Sequence, residues 1–230
     1  QHMPEGYTGM WAERLRNHTP FIVYDLDGNG RAEIAVKTSD GTIDGTGKVL
    51  GDSTADHRND AGKIYKGPEW LTVFDGLTGA ELTTVDYVPG RHPENQNATP
   101  QEVKTIWGDD TFNRSERYLA CVAYLDGVRP SLVMCRGYYT RSVLAAWDFK
   151  DNKLKQRWIF DSDDETPGNR SYRGQGAHSI TVGDVDNDGK DEIIYGAAAI
   201  DDDGKGLYST RLGHGDALHL SDLDPERPGL

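Results

Sequence analysis

The sequence predicts an all-β protein, a partial β-propeller that carries calcium-binding loops. Two observations lead there. Short runs rich in Val, Ile, Thr and aromatic residues recur between clusters of Gly, Asp, Asn and Pro, and helical periodicity is nearly absent. These runs also form a degenerate repeat of strand, acidic loop, strand, hairpin and strand, the order of a four-stranded propeller blade.

Strands are expected over residues 21–24, 33–38, 71–74, 82–87, 119–124, 131–136, 143–148, 154–160, 180–182, 192–196 and 217–220, with no helix. The first repeat unit begins VYDLDGNGRAEI at Val23 and later turns through Asp75-Gly76-Leu77-Thr78-Gly79. The second begins VAYLDGVRPSLV at Val122, the third VGDVDNDGKDEI at Val182, and a fourth opens at Ser221. The starts at Asp184 and Asp222 lie 38 residues apart, near the roughly 40–50 of one blade. Longer intervals earlier in the chain imply insertions over 39–67 and 89–116, and long insertions in compact domains are usually functional or disordered. About four to five blades cannot close a ring without exposing sheet edges, so a larger ring is expected. The organisation expected is a poorly matched N-terminal segment over 1–18 and a propeller domain over 19–230, truncated at its C-terminal end.

The 230 residues hold 38 acidic against 25 basic side chains, a net charge of −13. That balance repels polyphosphates and argues against nucleic acid as a partner. No apolar run approaches the roughly 20 residues of a membrane span. The acids divide into 27 Asp and 11 Glu, a skew toward turns and oxygen-ligand metal sites and away from surface helices. Cys121 and Cys135 would face each other in a hairpin centred near residue 128, as a disulfide or as two small core residues.

Asp25, Asp27, Asn29, Arg31 and Glu33 stand at positions 1, 3, 5, 7 and 9 of one loop, and Asp184, Asp186, Asp188, Lys190 and Glu192 repeat them. Alternate side chains offer oxygen, position 7 offers its backbone carbonyl, and Gly30 and Gly189 allow the turn at position 6. Hard oxygen ligands without cysteine select Ca²⁺. Asn187 replaces Gly28 at position 4, where a left-handed backbone is expected. The second unit has Arg129-Pro130 in place of ligands, and no ion is expected there. Asp222 and Asp224 retain two ligands of a variant loop, and Asp201, Asp202 and Asp203 before Gly204 read either as a further site, with Asp201 and Asp203 as its ligands, or as a plain acidic turn.

His178 in GQGAH and His214 in GHGD occupy equivalent positions of adjacent repeats, which places both on one rim, after Gly-rich stretches where backbone can approach a ligand closely. Arg136, Tyr138, Tyr139 and Arg141 combine cations with aromatic faces suited to an acidic sugar. No nucleophile triad, phosphate loop or zinc-protease pattern is present.

These segments, with GPEWLTVFDGLTG, WGDD, LDGVRPSLVMCRGYYTR, GQGAHS and GHGDALH in order from Thr19 to Leu230, resemble rhamnogalacturonan lyases of polysaccharide lyase family eleven. The resemblance implies an eight-bladed, calcium-rich propeller that cleaves rhamnogalacturonan I between rhamnose and galacturonate by β-elimination. It matches His178 and His214 to histidines associated with a metal near the substrate cleft, and the two acidic loops to calcium loops. Ca²⁺ would neutralise the uronate carboxylate beside the proton removed. The base stays open among Lys37, Arg141 and Tyr139. Phe112 and Arg211 stand where the family pattern has Gly, and Glu116 where it has Asp. The resemblance further implies a pectic polysaccharide partner, a monomer at full length, an extracellular or periplasmic setting, and an inactive chain when isolated. The alternatives are a non-catalytic calcium-binding propeller for adhesion or glycan binding, and a degraded lyase scaffold that only binds.

Overall fold

The computed structural model describes residues 21–60, 64–94, 96–222, 224 and 226. The expected N-terminal segment, 1–18, lies outside them.

In chain order the elements are β1 (Phe21–Tyr24), β2 (Glu33–Thr38), β3 (Thr42–Ile43), β4 (Val49–Leu50), β5 (Trp70–Asp75), β6 (Glu81–Asp86) and helix α1 (Pro100–Trp107). There follow β7 (Tyr118–Ala123), β8 (Ser131–Arg136), β9 (Val143–Lys150), β10 (Lys153–Asp161), a 3₁₀ turn (Asn169–Tyr172), β11 (Thr181–Gly183), β12 (Glu192–Ile194), β13 (Ala198–Ile200) and β14 (Gly206–Ser209). Among the described residues they form three four-stranded antiparallel sheets, β1-β2-β5-β6, β7-β8-β9-β10 and β11-β12-β13-β14, with β3-β4 as a separate hairpin. The described residues are all-β apart from the short helix, and no sheet among them closes into a barrel.

The three sheets pack face to face, and the middle one shows why. Successive side chains of a strand point to opposite faces. Leu132 and Met134 of β8, with Ala145 and Trp147 of β9, bury against Ala35, Leu71 and Val73 of the first sheet. Val133 and Cys135, with Leu144 and Ala146, bury against Ile193, Tyr195 and Ile200 of the third. Every residue of β8 is therefore buried, the mark of a strand covered on both sides. Among the described residues nothing comparable covers the outer face of β1, where Phe21 is 65% exposed and Val23 54%.

Most expected strands appear within a residue or two of their predicted ends. Residues 217–220 do not form a strand, since nothing described pairs with them beyond the single parallel bridge between Ala177 and Gly215. Strands β3, β4, β13 and β14 were not predicted; each has two to four residues, too few for periodicity to register. Helix α1 corrects the expectation of no helix. Its signal is local: Thr99 and Glu102 form a capping box and Pro100 occupies the first turn. Val103 and Trp107, four apart, are buried by it. The hairpin β7–β8 pairs Cys121 with Val133 and Leu119 with Cys135, so its centre is residue 127, and both thiols are free.

An ionic cluster fastens the insertions to the sheet ends. Arg136, fully buried, donates to both oxygens of Glu69 at 2.8 and 3.1 Å and to Glu116 at 2.9 Å. Arg91 bridges Glu69 and Glu116, and Lys37 reaches Glu69 at 3.0 Å. Burial alone would raise the Glu69 carboxyl; Arg136, Lys37 and Arg91 overcome it and hold that carboxyl well below the usual range.

Candidate functional site

The two acidic loops have the same internal wiring. Asp25 takes the Asn29 and Gly30 amides, Asp27 takes Asn29, and Asn29 takes Arg31. Asp184 takes the Asp188 and Gly189 amides, Asp186 takes Asp188, and Asp188 takes Lys190. Gly28 and Asn187 both adopt left-handed φ, +76° and +66°, as position 4 requires. The closing glutamates are anchored alike: Leu26 N–H donates to Glu33 Oε2 and Val185 N–H to Glu192 Oε2. Asp25, Asp27 and Glu33 each bring an oxygen within 4.8 Å of the others, as do Asp184, Asp186 and Glu192.

The loops fit a divalent cation on one observation in particular. Glu192 Oε1 is buried and has no hydrogen-bond partner, an arrangement that costs stability unless something positive faces it. Burial, then Asp186, Asp184 and Asp188, push the Glu192 carboxyl up to about 7. The second repeat unit shows the contrast. Ser131 stands at the register position of the closing glutamate, and Asp126 pairs with Arg129 at 2.9 Å and Arg157 at 3.5 Å.

Of the other expected ligands, Asp203 pairs with Lys205, and Asp201 joins no ligand group among the described residues. Of that run, Asp202 is the one that approaches Asp188 and Glu192. Asp222 accepts the Asp224 amide, and no third described ligand joins them.

The structure brings His178 and His214 together, ring centroids 4.9 Å apart, through the bridge between Ala177 and Gly215. His214 Nδ1 lies 2.6 Å from the Gly176 carbonyl, which can only accept, so Nδ1 carries the proton. Nε2 is then a lone-pair donor, and it is buried without a hydrogen-bond partner. Asp216 completes the group, with Oδ1 3.7 Å from His214 Nε2 and 3.9 Å from His178 Nε2. Sequence reasoning missed Asp216, although its spacing two residues after His214 was a signal. Tyr138 stacks on His214, and the Tyr139 hydroxyl hydrogen-bonds His178 Nε2 at 2.9 Å.

The expected sugar-binding quartet separates. Arg136 is enclosed in the ionic cluster and cannot meet a ligand. Arg141 is held by Asp161 and lies over Trp107, and Tyr138 is only 3% exposed. Tyr139 alone lines an open cleft, together with Asp109, Thr111, Asn113, Arg114 and Arg117. Lys37, a candidate base, is engaged by Glu69.

Phe112 and Arg211, the two substitutions of a pattern glycine, both hold left-handed backbones, φ +61° and +59°. Their costs differ. The Phe112 ring is buried and stacks on Tyr65 at 3.5 Å, so a glycine there would lose more than it relieves. Arg211 is exposed, and Arg211→Gly is expected to stabilise by about 1 kcal/mol, raising the melting temperature by roughly 2–4 °C in thermal unfolding.

Comparison with known proteins follows the same lines. The family model described as rhamnogalacturonan lyase family 11, C-terminal domain, matches residues 14–230. The chain is 60% identical over 214 residues to the rhamnogalacturonan exolyase YesX of Bacillus subtilis (strain 168). It is 55% identical over 214 residues to the rhamnogalacturonan endolyase YesW of the same strain. Each alignment takes 93% of this chain and 33% of the relative, so the chain spans about a third of their length. The crystal structure of exotype rhamnogalacturonan lyase YesX matches with a TM-score of 0.84 at 60% identity, over 91% of this chain and 33% of that one. The Bacillus licheniformis rhamnogalacturonan lyase PL11 gives 0.84 at 62% identity, over 91% and 34%.

Proposed function

The chain belongs to rhamnogalacturonan lyase family 11, and from that premise we propose that it forms part of an enzyme cleaving rhamnogalacturonan I between rhamnose and galacturonate by calcium-assisted β-elimination. The observation that carries the reading is the group His178, His214 and Asp216, with a buried imidazole lone pair aimed into it. In this reading the three stacked sheets are successive blades of a propeller. Their first strands, β1, β7 and β11, approach one another, and the exposed Phe21 and Val23 face a further blade.

Elimination removes the proton at C5 of the uronate, beside a carboxylate that resists further negative charge. Calcium bound near that carboxylate would neutralise it and stabilise the enolate-like transition state. The chain's own residues prepare the place. The Gly176 carbonyl fixes the His214 tautomer, and Tyr139 holds His178 by its ring nitrogen. Tyr138 packs against both rings, with centroids 5.1 Å from His178 and 5.7 Å from His214, and so restricts their orientation. The acidic loops lie at the β1–β2 and β11–β12 turns, where calcium would clamp blade starts and play no part in the chemistry. A plant-wall substrate and modest-affinity calcium loops suit an extracytoplasmic setting, where free Ca²⁺ is plentiful.

The full-length protein, given rhamnogalacturonan I and calcium, is expected to raise the ultraviolet absorbance of unsaturated uronate. His178→Ala and His214→Ala should each reduce that rate by at least about 100-fold. Glycan binding without any absorbance rise would replace the lyase reading by that of a non-catalytic glycan-binding propeller.

A further inference from the structure

We propose that the cleft walled by Arg114, Arg117 and Tyr139 is a uronate-binding subsite, in which Arg117, oriented over the Tyr139 ring, takes the sugar carboxylate. The cleft holds about 330 Å³. It adjoins the histidine group through the hydrogen bond from the Tyr139 ring to His178.

Arg117 differs from most arginines of this acidic chain and shares its lack of an ion pair, among the described residues, with Arg31 and Arg211, neither of which lines the cleft. Arg58, Arg91, Arg129, Arg136, Arg141 and Arg157 each pair with a carboxylate. Among the described residues no carboxylate lies within ion-pair distance of Arg117. Its Nε and Nη2 both donate to Asn113 Oδ1, at 3.0 and 2.7 Å, which aims the guanidinium and leaves its charge unneutralised. That guanidinium lies over the Tyr139 ring, 5.4 Å from its centre, so the aromatic face and Asn113 together orient the planar donor. Carboxylates are met by guanidinium forks.

Asp109 also lines the cleft and would be expected to repel an anion. Its oxygens are already consumed: Oδ1 takes the Thr111 and Asn113 amides and Oδ2 the Arg114 amide. The same bonds wind the loop that presents Asn113, Arg114 and Arg117 on one side. Arg114 approaches Asp109 at 4.0 Å, donates to the Gly108 carbonyl at 3.4 Å and has a side chain 40% exposed at the cleft. The ligand chemistry indicated is therefore a single carboxylate on a neutral ring, an acidic sugar.

The inference rests on the lyase reading for its polymer. Its test uses the full-length protein and calorimetric binding of two probes, rhamnogalacturonan I oligosaccharides and the same oligosaccharides with carboxyls reduced to alcohols. Arg117→Gln is expected to weaken the native oligosaccharide about tenfold and the reduced one hardly at all, with Arg117→Lys recovering part of the loss. Equal weakening toward both probes, or no change toward either, would overturn the subsite while leaving the lyase reading intact. If the unsubstituted protein neither binds nor cleaves the native probe, the lyase reading and the subsite fail together.

Discussion

Arg136→Met is expected to cost about 3–5 kcal/mol of folding stability. Arg136 is fully buried, and its removal strands Glu69 and Glu116 in the interior with only Arg91 and Lys37 beside them. Equilibrium denaturation measures the loss. The companion Arg136→Met/Glu69→Gln should recover part of it, because it is the unmatched charge and not the missing side chain that costs most. A double variant no better than the single would show that packing of the Arg136 stem, over Trp107 and Tyr118, carries the energy instead.

The same cluster sets an acid limit. Glu69 and Glu116 both titrate below the ordinary carboxylate range, because their cations outweigh the effect of burial. A depressed carboxyl contributes stability that is complete above its unfolded value, near ~4.3, and is lost as pH falls through its folded value. Acid unfolding should therefore be steep below about pH 4, and Arg136→Met should move its midpoint to higher pH.

Chelation supplies the second large effect. If each acidic loop holds Ca²⁺ at a hundred times its dissociation constant, each ion contributes about 2.7 kcal/mol and the two together roughly 5. For a chain of this size that corresponds to a fall of roughly 10–20 °C in melting temperature on adding a chelator. Glu192 gives the shift a pH dependence. Burial and three aspartates raise its carboxyl to about 7, so without an ion its ionisation costs stability as pH rises from about 4 to 7. The calcium effect should be larger at pH 8 than at pH 5, and Glu192→Gln should remove that difference. A melting temperature indifferent to calcium at both pH values would mean that the loops stand on their amide hydrogen bonds alone.

How much of this could be read before the fold was known differs by element. The acidic loops were legible to the residue, because their geometry is local: alternation, a glycine or asparagine in left-handed conformation, and a closing glutamate all lie within nine positions. Helix α1 was equally local, in Thr99, Pro100 and Glu102, and was missed because periodicity over eight residues is weak. The histidine pair was found by equivalence of repeats, and Asp216 was not, since only the bridge between Ala177 and Gly215 turns it toward the rings.

The arginines mark the boundary. By residue type Arg136, Arg141 and Arg117 are interchangeable, and the chain order favoured the first two, beside Tyr138 and Tyr139. Only the packing of β5, β7 and β8 against the insertion over 89–116 buries Arg136 among glutamates, and only the loop wound about Asp109 leaves Arg117 beside Tyr139 without a counter-charge. The sequence by itself determined most of the longer strands, the strand-and-loop repeat, the acidic loops and the family, which are written in runs and motifs of adjacent residues. The tertiary structure decided which charges are neutralised and which face solvent, because a charged side chain's role depends on partners 20 to 67 residues away that no local pattern encodes.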